Sequence, residues 1–301
     1  MPSWDEVLSE LRQESAQSNI DKIRRKYLKE LFNKIGRNII TYYSGWLQKP
    51  GVRSAYIDDS DMNGFMNAIY KLNKSKGLDL ILHTPGGELT ATESIVQYLR
   101  RIFGNNIRII IPHLALSAGT MIALSGKEIL MGKHSYIGPI DPQFGGISAE
   151  GVIEEFERAK SEIKKDQSSI PLWQTIISKY HPTFIGDCEK AIAISKNIVR
   201  KWLETGMFEN EENIEKKINN IIEKLSHSET GTHARHIGVE ICEDELQLKI
   251  VRLEALGNEL QDLILTVHHA YMHTFSTTSA IKIIENHNGK ALVTLHNPVK
   301  K

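Results

Sequence analysis

The chain holds only two cysteines, Cys188 and Cys242, in 301 residues, too few for a disulfide framework. Buried free thiols in a reducing compartment are the expectation. Net charge is missing as well, because 37 Lys and Arg balance 37 Asp and Glu. There is no global basic field to gather nucleic acid and no acidic field to gather basic partners. Nor is there a long apolar run. The longest, Ile109 to Leu124, is broken by Pro112, His113, Ser117 and Gly119 and falls short of the ~20 residues a membrane span needs. Met1-Pro-Ser-Trp-Asp-Glu has neither a basic n-region nor an apolar h-region, so no secretory signal is read there. The resulting expectation is a soluble cytoplasmic protein with no stable membrane insertion and no nucleic-acid partner. Disorder is excluded too, since 41% hydrophobic and 25% charged residues match an ordinary globular chain.

What is present divides into three parts. In residues 1–36, Ile20, Ile23, Tyr27, Leu31 and Ile35 recur at helical spacing. Residues 37–251 alternate strand and helix signals in the manner of an α/β domain. Arg37 to Tyr43 reads as a strand, and Met62, Phe65, Met66, Ile69 and Leu72 form a helical face entered through Asp59-Ser60-Asp61, which suits an N-cap. Leu78 to His83 and Ile107 to Pro112 are strands flanking a helix that carries Thr92, Ile95, Val96, Leu99 and Phe103, a βαβ unit with a right-handed crossover. Past Gly146 four helices are expected, at Ala149 to Lys165, Leu172 to Tyr180, Asp187 to Glu204 and Asn210 to Leu225. Residues 252–301 supply a helix with a seam of Leu253, Leu256, Leu260, Leu263 and Val267, then a β-hairpin with Asn288-Gly289 in its turn.

Two segments can carry chemistry. His83-Thr-Pro-Gly-Gly87 joins a strand to a helix, and its paired glycines leave N–H groups that no side chain covers. Such groups bind an anion or the oxyanion of a tetrahedral intermediate, although many strand–helix turns use the same residues for geometry alone. In Leu116-Ser-Ala-Gly-Thr-Met-Ile-Ala-Leu124, Ser117 stands where a helix begins, with small residues behind it. It is either an N-cap or a nucleophile that a substrate carbonyl can approach. Ala115 replaces the first glycine of the Gly-x-Ser-x-Gly elbow, so an α/β-hydrolase is not indicated. On successive strands of one βαβ unit, both segments emerge at the same sheet edge, where ligands bind in α/β folds.

Strand–Thr-Pro-Gly-Gly–helix followed by strand–Ser-Ala-Gly-Thr–helix resembles the Clp-protease/crotonase superfamily, and within it the serine dehydrogenase proteinase family. The resemblance is carried by Leu80 to Gly87, Ser117 to Leu124 and Ser135-Tyr-Ile-Gly-Pro-Ile-Asp-Pro-Gln143, and more weakly by Thr232-His-Ala-Arg-His-Ile237 with Glu240 to Ile250. It covers residues 37–251. It implies a crotonase/Clp-protease-like α/β core extended by the N-terminal helix and the C-terminal helix and hairpin, and a homo-oligomer. It also implies a serine endopeptidase acting on polypeptides without metal or organic cofactor. By the same resemblance Ser117 is the nucleophile, and the N–H groups of Gly87 and Ala118 form the oxyanion hole.

The base is where the chain departs from the Clp pattern, because no histidine occurs in Gly138 to Asp141. His236 is the preferred candidate and His233 the second, with Asp141 orienting the imidazole; His113, His134, and Lys160 or Lys164 in a Ser-Lys dyad stay open. His269 and His273 have the i, i+4 spacing of a metal pair but lack the glutamate and third ligand of a zinc motif. The rival functions are an acyl-CoA enzyme of the crotonase type and a non-catalytic oligomeric scaffold. The stripes at Ile20–Ile35 and Leu253–Val267 are expected to need cover, which places the terminal helices at oligomer interfaces.

Overall fold

The computed structural model describes residues 7, 18–226 and 235–296. Strands β1 (Asn38–Ser44), β2 (Leu78–His83), β3 (Ile107–Ile111), β5 (Glu128–Met131) and β10 (Ile250–Arg252) run parallel in one sheet. The hairpin of β11 (Ala280–Asn286) and β12 (Ala291–Leu295) extends it antiparallel, giving the order β10-β5-β3-β2-β1-β11-β12. Every residue of β1 and β2 is buried, as expected where helices cover both faces.

Alternation along the strands sends residues to two cores. Ile39, Tyr43, Ile81 and Ile110 face α1 (Ser18–Ile35) and α9 (Asn258–Thr277). Ile40, Leu80, Leu82, Ile109 and Ile111 face α2 (Asp61–Ile69), α3 (Leu89–Phe103) and α4 (Ala118–Leu124). A smaller sheet of β4 (Leu114–Ala115), β6 (Tyr136–Ile137) and β9 (Ile237–Gly238) stands beyond the strand ends, with β6 pairing parallel to β4 and antiparallel to β9. After a short hairpin, β7 (Gln143–Phe144) and β8 (Ile147–Ser148), come α5 (Ala149–Lys165), α6 (Ile170–Ile177), α7 (Phe184–Trp202) and α8 (Glu215–Ser226). Helices α5 and α7 pack around Val152, Phe156 and Cys188, and the C-terminal part of α7 joins α8 on the main core through Val199 and Trp202. Both cysteines are free and buried.

The terminal helices do not leave apolar stripes open. Leu28 and Leu31 of α1 meet Val267 and Tyr271 of α9 over β1, all fully buried. Arg24, equally buried, ties α1 to β11 through Glu285 at 2.7 Å, and the Tyr271 hydroxyl donates to the same carboxylate at 3.1 Å. The surface invoked as a reason for self-association is therefore consumed inside one chain, and that reason is withdrawn. Helix α9 also starts later than its apolar seam: Leu253–Leu256 is a 3-10 turn, ended by Gly257 at φ 85°. Ser60 stands at the N-cap of α2 without using its side chain, while Asp58 accepts its N–H at 2.8 Å.

Candidate active site

The two motif segments meet beyond the parallel strands. Thr84 N–H donates to Leu114 O and Leu116 N–H to Thr84 O, each at 3.0 Å, so the chain leaving β2 lies alongside the chain around β4. The contact is close enough to require glycine. A Cβ on Gly86 (φ 98°) would lie 2.7 Å from Leu116 O and 2.8 Å from Ser117 Cβ. One on Gly87 would lie 2.3 Å from both the N and the O of Ile57. Ile57 runs beside this turn, donating to Gly86 O at 2.8 Å and accepting from Glu88 N–H at 2.9 Å.

Ser117 sits at φ 52°, ψ −119°, and Gly119 N–H donates to Leu116 O at 2.8 Å. Those are the angles and the bond of a type II′ turn with Ser117 at the first central position, which glycine normally fills. A serine held there carries backbone strain. Its hydroxyl does not cap α4 and accepts or donates no hydrogen bond among the described residues. Gly119 lets α4 approach, since a Cβ there would meet Thr84 Cγ2 at 2.5 Å. Among the described residues the N–H groups of Gly87 and Ala118 have no acceptor.

The opposite wall is the Gly138 to Gln143 stretch. Gly138 N–H donates to Thr120 Oγ1 at 2.9 Å, Ile140 N–H to Leu225 O at 2.9 Å, and Ser195 Oγ to Ile140 O at 3.0 Å. This backbone is fastened to α4, α8 and α7 in turn. Asp141 is buried at its end and accepts from Gln143 Nε2 at 3.2 Å. Between the walls lies a cavity of about 880 Å³ whose lining includes Ser117, Gly87, Ala118 and Asp141, with Met121 and Ile140 as apolar floor.

The histidines are elsewhere. His236 is exposed and packs on Tyr136, ring centroids 5.5 Å apart, outside the cavity lining. Its neighbour Ile237 pairs with Ile137 of β6, so the antiparallel register sets His236 opposite Gly138, at the start of the opposite wall. His113 belongs to a group with His83 and His268, centroids 5.6 and 5.8 Å away, and burial holds it below its ordinary pKa. His134 is half-buried near Glu254, its pKa also lowered, by burial. No histidine among the described residues lines the cavity. Lys160 pairs with Glu157 at 2.5 Å on the exposed face of α5, and Lys164 is exposed on the same helix, so neither lines the cavity. His233 lies outside the described residues. Ser117, Gly87, Ala118 and Asp141 thus share one cavity, and His236 is not among its lining residues. Ile57 and Ser195 had no local signal: Ile57 acts through its backbone and Ser195 through its hydroxyl, each on a segment distant in sequence.

Residues 10–252 match the family of ClpP-like SDH-type serine proteinases, and the chain belongs to this family. The match begins within the N-terminal segment, so it takes in α1, which the motif resemblance had left outside. Two uncharacterised proteins of Methanocaldococcus jannaschii are similar to the chain. One is 35% identical over 152 residues, covering 49% of this chain and 52% of the relative. The other is 37% identical over 115 residues, covering 38% and 39%. The chain thus spans about half the length of the first and less of the second. Among the described residues no helix is long and apolar enough to cross a membrane, and no group of three or more His, Cys, Asp or Glu is arranged to hold a metal.

Proposed function

We propose that the chain is a serine endopeptidase that cleaves polypeptides through an acyl-enzyme on Ser117. The observation that carries this reading is Ser117 at φ 52° on the cavity wall, beside two N–H groups without an acceptor among the described residues. Strain of this kind persists where the surroundings force it, and here it turns the hydroxyl out of the helix it precedes. A peptide carbonyl over Ser117 would place its oxygen between Gly87 and Ala118, and each such donor contributes about 3 kcal/mol to transition-state binding. Asp141 serves as orienter in this scheme.

The base in this proposal is His236 or, second, His233, with Asp141 as orienter. His113 and His134 do not line the cavity, and Lys160 is paired outside it. Self-association belongs to the same proposal on the strength of the family alone.

A fluorophosphonate probe and a casein-turnover assay test the reading. Ser117 should be labelled and Ser117→Ala inert, and one of His236→Gln and His233→Gln should slow acylation by at least about 100-fold. A folded protein whose Ser117 is never labelled would refute the nucleophile. Crotonase-type thioester chemistry or a non-catalytic scaffold would then take its place.

A further inference from the structure

Lys282 is almost fully buried, 1% exposed, on β11, beyond residue 252 where the family match ends. Its ammonium reaches Asp61 Oδ1 at 2.7 Å, Tyr56 O at 2.9 Å and Asp58 Oδ2 at 3.2 Å. Tyr56 O and Asp58 Oδ2 accept hydrogen bonds from it, and Asp61 Oδ1 is an ion-pair contact. Removing an ammonium from water costs several kcal/mol, and an apolar side chain of similar volume is often no less stabilising. Such a group is explained better by what it fixes than by net stability.

What it fixes is the segment from Tyr56 to Asp61. Asp61 accepts in addition from the Tyr42 hydroxyl at 2.8 Å and from Asp58 N–H at 3.1 Å. Burial raises the Asp61 pKa while the Lys282 charge opposes the shift. Ser44 Oγ donates to Ala55 O at 2.6 Å just upstream. Ile57 is therefore held from both sides, and Ile57 donates to Gly86 O at 2.8 Å. Gly86 C=O and Gly87 N–H belong to one trans peptide, so they point in opposite directions. Fixing that carbonyl toward Ile57 aims the Gly87 N–H away from Ile57. Two consecutive glycines oppose little barrier to a peptide flip. A flip would turn a carbonyl oxygen toward the developing oxyanion.

We propose that Lys282 is a positioning residue that locks the orientation of the Gly86–Gly87 peptide through Asp58, Asp61 and the Ile57 backbone. The inference rests on reading Gly87 N–H as an oxyanion donor, but the strut has its own observable.

In the full chain, Lys282→Met should speed amide exchange at Ile57 and Glu88 by at least about tenfold, as local opening no longer works against the strut. Fluorophosphonate labelling of Ser117 should slow by a similar factor. Ile283→Ala, on the opposite face of β11, controls for general destabilisation: it should lower the melting temperature without selectively exposing those two amides. Should Lys282→Met fail to fold, Asp61→Asn removes one charge while keeping the shape, and the same two amides should exchange faster. Unchanged exchange at Ile57 and Glu88 in a folded variant overturns the proposal. Faster exchange in a protein whose Ser117 is never labelled upholds the strut and removes the nucleophile instead.

Discussion

Ser117 shows how much one residue's backbone can reveal. Glycine would relax its φ of 52°, gaining about 1–3 kcal/mol of released strain. Against this stands an entropic cost of about 0.5–1 kcal/mol for a more flexible unfolded chain. Ser117→Gly should therefore raise stability by about 1 kcal/mol while abolishing any acylation, and Ser117→Ala should leave stability unchanged because the hydroxyl caps nothing. Urea unfolding of the three proteins checks this; a glycine variant less stable than the serine would mean the turn is not strained. Gly86→Ala should go the other way. Its Cβ meets the Leu116 carbonyl at 2.7 Å and φ is 98°, so a loss of at least about 2 kcal/mol is expected on melting. At this scale the sequence was readable where chemistry lies within one motif: Gly87, Ala118 and Ser117 share a cavity because their strands are neighbours. Ile57 and Lys282 were not, since their partners lie 30 and more than 200 positions away and only the folded sheet joins them. Asp141 reached the cavity because its segment is tied to three helices, whereas His236, just before β9, is set opposite Gly138 and stays out of the cavity lining.

At the scale of elements, α9 brings charge-sensitive groups against the sheet. His268 lies 5.2 Å from His83 and 5.8 Å from His113, measured between ring centroids. Burial, reinforced by the neighbouring histidines, holds His83 and His268 well below the ordinary imidazole pKa, and burial pushes His287, in the turn after β11, down to about 4. Folded, these rings stay neutral while the unfolded chain takes up protons near pH 6.5. The unfolded state thus binds more protons in that window, and stability falls as pH drops, by up to about 1.4 kcal/mol per pH unit for each ring. Denaturant midpoints at pH 7.5 and pH 5.0 should differ accordingly, and His268→Gln should narrow the gap. A midpoint independent of pH would show that the rings are already charged when folded. Helical spacing located α5 at Ala149–Lys165, and the Asn288-Gly289 pair located the terminal hairpin with Gly289 in its turn. It could not show that α9 starts only after Gly257, because apolar periodicity continues through the preceding 3-10 turn.

For the whole molecule, the family match and the folded unit have different ends. The match stops at residue 252, on β10 at one edge of the sheet, whereas the opposite edge is built from β11 and β12. The α/β class was legible from the alternation of strands and helices, but periodicity carries no record of which strand pairs with which. Residues 252–301 therefore read as an appendage, although β11 is fully buried and lies directly against β1. Helix α9 likewise covers Tyr43, Ile81 and Ile110, and it shields the apolar stripe of α1. Removing everything after residue 252 would bare both the edge of β1 and one face of the sheet. It would also strip Arg24 of Glu285, leaving it paired with Asp21. The lost apolar burial weighs against a total stability of only ~5–15 kcal/mol for a typical domain. A chain ending at residue 252 should accordingly be insoluble or expanded, with native near-ultraviolet circular dichroism lost, rather than appear as a smaller assembly of folded subunits. Co-expression with residues 253–301 as a separate polypeptide should restore part of the soluble protein, because β11 and α9 dock by side-chain packing and strand pairing. A monodisperse truncated protein with a native near-ultraviolet spectrum would show instead that the core ends where the family match does.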